Sequence, residues 1–513
     1  MATDDAFSDP ALVDFRDPHA RSALEELGRS TWDEALDWLY GEAFRRPIAG
    51  ATYPEARRTY FGPTSQPSTA PRHGTPWHDV LATFRERIAP NTYNAQHPGS
   101  FSYFTPPPLP TSIAGEVLSQ WLQQGVDVWH AGPVGAFVEE EVVAWLRELV
   151  GMPEGSWGVL TSGGVMANVM ALTVARDIHL TALRQLATPP RGRDLEGVRV
   201  YASDQAHFSI ARGLDVLGFP PETLRIVPSD ERFRLHAAPI ASAVADDRAA
   251  GLTPLCIAAV AGTTNTGSVD LVPELAELAR REGMWLHVDA AYGGAARLSA
   301  RDATRVPGLE LADSVTVDPH KWFFQAYDIG ALVVRRHDDL LRTFHRSPEY
   351  YASARPDDEP LDWYRYSFEG TRRFRALKLW TSWLHLGTTG LGALVERNDD
   401  LAAYLASRLR EAPDLELTPD PPELSVVCFR HVPEALADDV ERLDRYQLVL
   451  QRAIEVDGAA WVSVTTLRGR RWLRAGVVNY LSTEADVDAL IDAVDRLSPD
   501  AIAIVGDAQN ASS

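Results

Sequence analysis

The residues of this chain that could do chemistry begin with a lysine. In "VDPHKWFFQAYDIGALVVR", residues 317–335, Lys321 stands between a histidine and a tryptophan, a few residues before a run of branched apolar residues. A primary amine can add to a carbonyl compound, but a lysine in a polar turn is ordinarily a solvated surface residue, so its partners decide which it is. Four stretches offer partners. "LHVDAAYGG" (286–294) ends an apolar strand-like run in Asp289, and a carboxylate rarely enters such a setting without a cation or donor to satisfy it. "VLTSGGVMANVMALTVAR" (159–176) reads as a strand, Ser-Gly-Gly and a helix; glycines let the backbone approach closely, and free N–H groups at a helix start suit a phosphate. "YASDQAHFSIARG" (201–213) puts His207 just after a strand end, where a structural hydrogen-bonding role is the commoner one. "AVAGTTNTGSVD" (259–270) carries a strand into small and hydroxyl residues, which a plain turn would also explain.

The elements that must position these groups are short apolar runs alternating with helix-like segments. "RVYAS", "LCIAAVAG", "WLHVDAA", "SVTVD" and "GALVVRR" are rich in branched residues and read as buried parallel strands in a sheet covered by helices. In open α/β sheets ligands sit outside the carboxyl ends of the strands, and all five polar groups lie just after predicted strands, so one site could collect them. A phosphate cradle, a strand-end aspartate and a lysine near another strand end are together what pyridoxal phosphate needs. Amides bind its phosphate, a lysine forms a Schiff base, and an acid keeps the ring nitrogen protonated so that the ring draws electrons.

Around this core the chain has 513 residues, 45% hydrophobic and 23% charged, the proportions of an ordinary globular protein with two or three domains. The spacing predicts an N-terminal helical arm over 1–104, with helical periodicity at 21–48 and breaker clusters "FGPTSQPSTAPRHGTP" and "TPPPLPTS". A large cofactor-binding domain follows over 105–385, then a smaller α+β domain over 386–513 with a helix around 393–411 and a strand at "LSVVCFR". A net charge of −22 opposes nucleic acid and anionic lipid as partners. Cys256 and Cys428 lie in apolar contexts and read as buried thiols rather than a disulfide. The N-terminal stretch "MATDDAFSDPALVDF" lacks the basic and apolar regions of a secretory signal, and no apolar run approaches a membrane span. The expectation is a cytoplasmic protein.

The motifs "DQAHFS", "AGTTNTGSVD", "LHVDAAYGG", "DPHKW" and "GTRRFRALKLW" (370–380) carry a family resemblance. With them the chain resembles the pyridoxal-phosphate-dependent group II amino-acid decarboxylases, which include the aromatic-L-amino-acid and glutamate decarboxylases, from about residue 95 to 495. The resemblance implies an α/β fold of the aspartate aminotransferase type (fold type I), with a mostly parallel sheet in a large domain and a smaller α+β C-terminal domain. It implies that Lys321 forms the Schiff base, Asp289 pairs with the pyridine nitrogen and His207 stacks on the ring, while Thr263 and Ala291 line the cofactor. The phosphate would rest on the backbone of Gly164 and Val165 with help from His320 and Asp318.

In the family a tyrosine on a loop after the lysine strand returns a proton to the substrate's alpha carbon. "FHRSPEYYAS" (344–353) places Tyr350 there, with Tyr351 adjacent. Tyr103 and Phe104 in "SYFTPPPLPT", and Asp127 and Trp129 in "VDVWHAGP", match stretches on the substrate side. Relatives are homodimers with shared sites, and Gly370 would reach the neighbour's phosphate. Two departures stand out: Val165 and Met166 replace the Ser-Glu of many relatives, and Asp318 replaces the asparagine of animal aromatic decarboxylases. The implied activity is decarboxylation of an L-amino acid to an amine, with an aromatic substrate (tryptophan, tyrosine or DOPA) and no metal. The alternatives are an aliphatic substrate (methionine, leucine or valine), an aldehyde-forming oxidase, an aminotransferase or a non-catalytic dimeric scaffold.

Overall fold

A computed structural model describes residues 15–17, 20–346 and 361–510. The chain divides into two compact units. One runs from Phe104 to Arg430 and takes back Arg474–Tyr480; the other holds the described residues before Phe104 together with His431–Leu473 and those from Leu481 onward.

The first unit is built on a seven-stranded sheet: β1 (Trp157–Thr161), β2 (Val198–Ser203), β3 (Leu224–Val227), β4 (Thr253–Val260), β5 (Trp285–Asp289), β6 (Ser314–Val317) and β7 (Gly330–Val334). Their order across the sheet is β1-β7-β6-β5-β4-β2-β3. All residues of β5, β6 and β7 are buried. A strand covered on both faces can be apolar throughout rather than alternating, which is the pattern the sequence shows.

β2 to β6 pair in parallel, as the sequence predicts. "GALVVRR" corrects that expectation, because β7 runs antiparallel to both β6 and β1. The reason is the connection. Residues 318–329 form tight turns with no helix, whereas a parallel return needs a crossover that passes over a face of the sheet, usually as a helix. The helix expected around 393–411 starts earlier, at Ala376, and reaches Glu411 with a break at Gly387, whose φ of 65° lies in the left-handed region.

The C-terminal part of the chain contributes a separate antiparallel sheet of four strands. In the second unit the helix Val440–Asp457 is capped at its start by Asp439, whose side chain accepts from the Arg442 amide at 3.0 Å, and it ends at Gly458 in the left-handed conformation. The helix Ala20–Trp38 passes into a π-helical turn at Leu39–Ala43. Among the described residues no helix is long and apolar enough to cross a membrane.

Candidate active site

Strand register sets the site. Asp289, the last residue of β5, pairs with Val260 at the end of β4 on one side and with Thr316 of β6 on the other. Three parallel strands therefore deliver their carboxyl ends to one edge of the sheet. The chain turns as soon as it leaves β6: the Lys321 amide donates to the Asp318 carbonyl at 2.9 Å, and the Phe324 amide to the Lys321 carbonyl at 3.0 Å. Trp322, Phe323 and Phe324 are fully buried, and the Trp322 indole donates to Asn398 at 3.0 Å.

These anchors fix the turn while the Lys321 side chain stays 23% exposed, with Nζ 3.3 Å from Asp318 Oδ2. The same Nζ lies 6.0 Å from the centre of the Phe104 ring. Phe104 stacks on Tyr292 at 4.1 Å, and the Arg474 guanidinium sits over that Phe104 ring at 4.6 Å.

The Ser-Gly-Gly turn is pressed against this lysine turn. A Cβ on Gly164 would stand 2.7 Å from Asp318 Oδ2, and one on Gly330 would stand 2.5 Å from the Gly163 Cα, so only glycine fits at either place. The helix Gly164–Val174 opens here, and the N–H groups of a first helical turn have no intrahelical acceptors. His320 donates from Nδ1 to the Ile329 carbonyl at 2.6 Å, which turns Nε2 to within 3.7 Å of Asp318 Oδ2. Burial pushes the His320 imidazole below its ordinary value, against the opposing pull of Asp318. Asp318 Oδ1 is buried with no hydrogen-bond partner.

Ala291 ties these parts together. Its amide donates to Asp289 Oδ1 at 3.1 Å, and its carbonyl accepts from the Asp318 amide at 3.1 Å. Asp289 Oδ2 accepts from Asn168 Nδ2 at 2.7 Å. His207 is half-buried and hydrogen-bonded through Nδ1 to Ser209 Oγ at 2.8 Å; burial lowers its pKa, with Asp289 opposing and Lys321 reinforcing the shift.

Thr263 is fully buried in the turn after β4, with its hydroxyl 2.7 Å from that of Thr266. Asp127 and Trp129 make their contacts with the 362–373 segment: the Asp127 carbonyl accepts from the Tyr364 amide at 3.1 Å, and the Trp129 amide donates to Asp362 at 2.9 Å. Gly370 lies in that segment with open space where a Cβ would be. Tyr103 belongs to the other unit, where it is 56% exposed and packs edge-on against Trp461 at 5.0 Å. Tyr350 and Tyr351 lie outside the described residues.

Sequence reasoning missed Asn168, Ser209, His287 and Arg474. Two of them left a signal. His287 precedes Asp289 by two residues on a strand, hence on the same face, and Asn168 is the one amide in the apolar helix "VMANVMALTV".

The residues fit pyridoxal phosphate. Asp289 takes two N–H donors and, as a carboxylate, keeps acceptor capacity for a third. The Lys321 amine is partly exposed and lies 3.3 Å from Asp318 Oδ2, and the helix start at Gly164 adjoins His320, whose Cε1 would be 3.1 Å from a Cβ on Gly163.

Comparison with known proteins agrees with this geometry. Residues 61–432 match the model of the pyridoxal-dependent decarboxylase conserved domain. An aromatic-L-amino-acid decarboxylase of Bacillus atrophaeus is 33% identical over 81% of this chain and 84% of its own length. An L-2,4-diaminobutyrate decarboxylase of Acinetobacter baumannii is 29% identical over 88% of both chains. The crystal structure of Oryza sativa TDC with PLP and tryptamine superposes with a TM-score of 0.86 at 25% identity, covering 95% of this chain and 99% of that one. The chain belongs to the pyridoxal-dependent decarboxylase family and is a pyridoxal-phosphate-dependent amino-acid decarboxylase of the aspartate aminotransferase fold.

Proposed function

We propose that the substrate is an aromatic L-amino acid, such as tryptophan, tyrosine or DOPA, and that Lys321, Asp289, His207 and Tyr350 are the catalytic residues. The observation that supports this most is the placement of Lys321, a partly exposed amine fixed among buried neighbours 3.3 Å from Asp318. When bound, pyridoxal phosphate supplies a carbonyl that takes up amines and a ring that accepts the electron pair left behind by CO2.

In this reading Lys321 would hold the cofactor through Nζ. Asp318, with Oδ2 beside Nζ, orients the amine. Asp289 would accept the hydrogen of the ring nitrogen, and His207 would serve the ring face. The amides of Gly164 and Val165, with His320, would hold the phosphate, and Thr263 and Ala291 would wall the ring. Tyr350 hands the proton to the alpha carbon. Orientation of the reacting bond relative to the ring is the protein's main contribution to rate.

Similarity to the Bacillus enzyme supports an aromatic substrate. Phe104 supports it less, since one face of its ring is taken by Tyr292. Similarity to the Acinetobacter enzyme favours a second reading, the same reaction on a diamino acid. Mass spectrometry of products from the cofactor-loaded protein and a panel of L-amino acids separates the two. Amines from aromatic substrates alone are expected; an amine from 2,4-diaminobutyrate alone would replace the substrate and keep the mechanism.

The same reading includes a homodimer. Asp127 and Trp129 bond to Tyr364 and Asp362, in the segment that carries Gly370, which suits a patch offered to a neighbouring site. A cytoplasmic setting is consistent with two buried cysteines left as free thiols.

A further inference from the structure

Behind Asp289 runs a chain of buried polar groups that the reaction as described does not use. Asn168 Nδ2 stands 2.7 Å from Asp289 Oδ2 and 2.8 Å from Ser209 Oγ. The carboxylate accepts, so the amide nitrogen must face it, and Asn168 Oδ1 is left toward His287 Nε2 at 3.0 Å. That imidazole nitrogen must therefore carry a proton. Burial pushes His287 down to about 4, so the ring is neutral near pH 7 and its Nδ1 accepts, here from the Ser314 hydroxyl at 2.9 Å. Ser314 Oγ in turn accepts from the Trp285 indole at 2.9 Å.

On the other arm Ser209 Oγ accepts from Asn168, and the Ser209 backbone amide donates to His207 Nδ1 at 3.3 Å; Nδ1 is therefore an acceptor, and it also takes the Ser209 hydroxyl proton at 2.8 Å. Asn168, Ser209, His287 and Ser314 are all essentially inaccessible to solvent, and a flipped amide would set Oδ1 against the Asp289 carboxylate. The orientation of the Asn168 amide is thereby fixed.

We propose that Asn168 is a positioning residue: its amide, pinned by His287, holds Asp289 Oδ2 and, through Ser209, keeps His207 as the tautomer with its proton on Nε2. The groups that face the cofactor would then be set by one network, in which the ring aspartate and the stacking histidine share an amide. This rests on the reading of Asp289 and His207 given above.

Two measurements test it. In the cofactor-free protein labelled with 15N-histidine, side-chain NMR of the parent should show His207 and His287 both protonated on Nε2, and Ser209→Ala should shift His207 toward a tautomer mixture. Nδ1-protonated His207 in the parent overturns the proposal, and no change in Ser209→Ala, which keeps the 3.3 Å backbone bond to Nδ1, overturns the arm that runs through the Ser209 hydroxyl. Binding of pyridoxal phosphate to the same protein is then titrated by equilibrium dialysis.

Asn168→Asp keeps the volume but puts an acceptor against Asp289, and it should weaken binding by about tenfold or more, the cost of setting one unsatisfied buried group against another. His287→Gln, which keeps an N–H donor, should stay closer to the parent than His287→Leu. Binding of Asn168→Asp within about twofold of the parent, or equal binding by the two His287 variants, overturns it. If Asn168→Asp does not fold by circular dichroism, Ser209→Ala and the His287 pair decide. A parent that binds no pyridoxal phosphate in a Lys321-dependent way would instead overturn the reading of the site, and the tautomer result would still stand.

Discussion

At the scale of single residues the site separates groups that touch reacting atoms from groups that keep them in place. In the proposed mechanism Lys321 is of the first kind. Its side chain is 23% exposed, and the buried Trp322, Phe323 and Phe324 hold the turn beside it. Lys321→Ala is expected to abolish amine formation and the visible absorbance of the bound cofactor, with a thermal midpoint close to the parent's. Retained turnover would remove Lys321 from the mechanism.

The histidines carry a prediction about pH. His207, His287 and His320 each have their pKa lowered from 6.5, in every case chiefly by burial. The unfolded chain binds protons there as pH falls through about 6.5, while the folded chain declines them. Stability therefore rises with pH through this window and is lost on acidification. Denaturant titrations between pH 7 and pH 5 should show a stability slope that is shallower by about one proton in His287→Gln; an identical slope would mean that His287 is protonated in the folded protein.

At the scale of elements, "GTRRFRALKLW" acts as a brace. Arg372 is fully buried and pairs with Glu139 of the helix Pro133–Leu149, and that carboxylate also accepts from the Leu160 amide of β1 at 3.1 Å. Lys378, equally buried, donates to the carbonyls of Ala326 and Tyr327 at 3.2 Å, in the turn that follows Lys321, and pairs with Glu116 at 2.8 Å. Removing one partner of such a pair leaves an uncompensated buried charge. Arg372→Met is expected to cost about 3–5 kcal/mol, read as a lower denaturation midpoint at unchanged cofactor stoichiometry, and Glu139→Gln combined with it should recover part of that loss. Additive losses would show that the two side chains act apart.

The same elements show what the sequence could convey. β4, β5 and β6 are legible because burial on both faces demands unbroken apolar runs, and Asp289 is legible because a charge closes one of them. β7 has the same composition, but direction leaves no mark on a strand's own residues; it is fixed by what the 318–329 connection can span. Asn168 was not legible as a partner of Asp289 because two elements distant in sequence bring them together, and a lone polar residue in a helix does not announce which strand it faces.

At the scale of the whole molecule the open question is what covers the apolar surface of the Phe104–Arg430 unit. The helix Pro110–Leu122 exposes Val117, Leu118, Trp121 and Leu122, and the next long helix, Pro133–Leu149, exposes Val134 and Phe137. Scattered apolar residues are normal on a surface, but several large ones on consecutive helices are what a permanent interface needs. With a net charge of −22, identical chains repel at long range, so association between copies has to rest on contacts of this apolar kind.

A homodimer closed across this face is expected to run at twice the chain mass in sedimentation equilibrium. On the proposal that Gly370 serves a second site, Leu118→Glu with Leu122→Glu should give a folded monomer that has lost most activity. If that monomer retains activity, each chain completes its own site and Gly370 has no role at a neighbour's phosphate. If the double variant stays dimeric, the interface lies on another face, and the apolar residues of these two helices need a different partner.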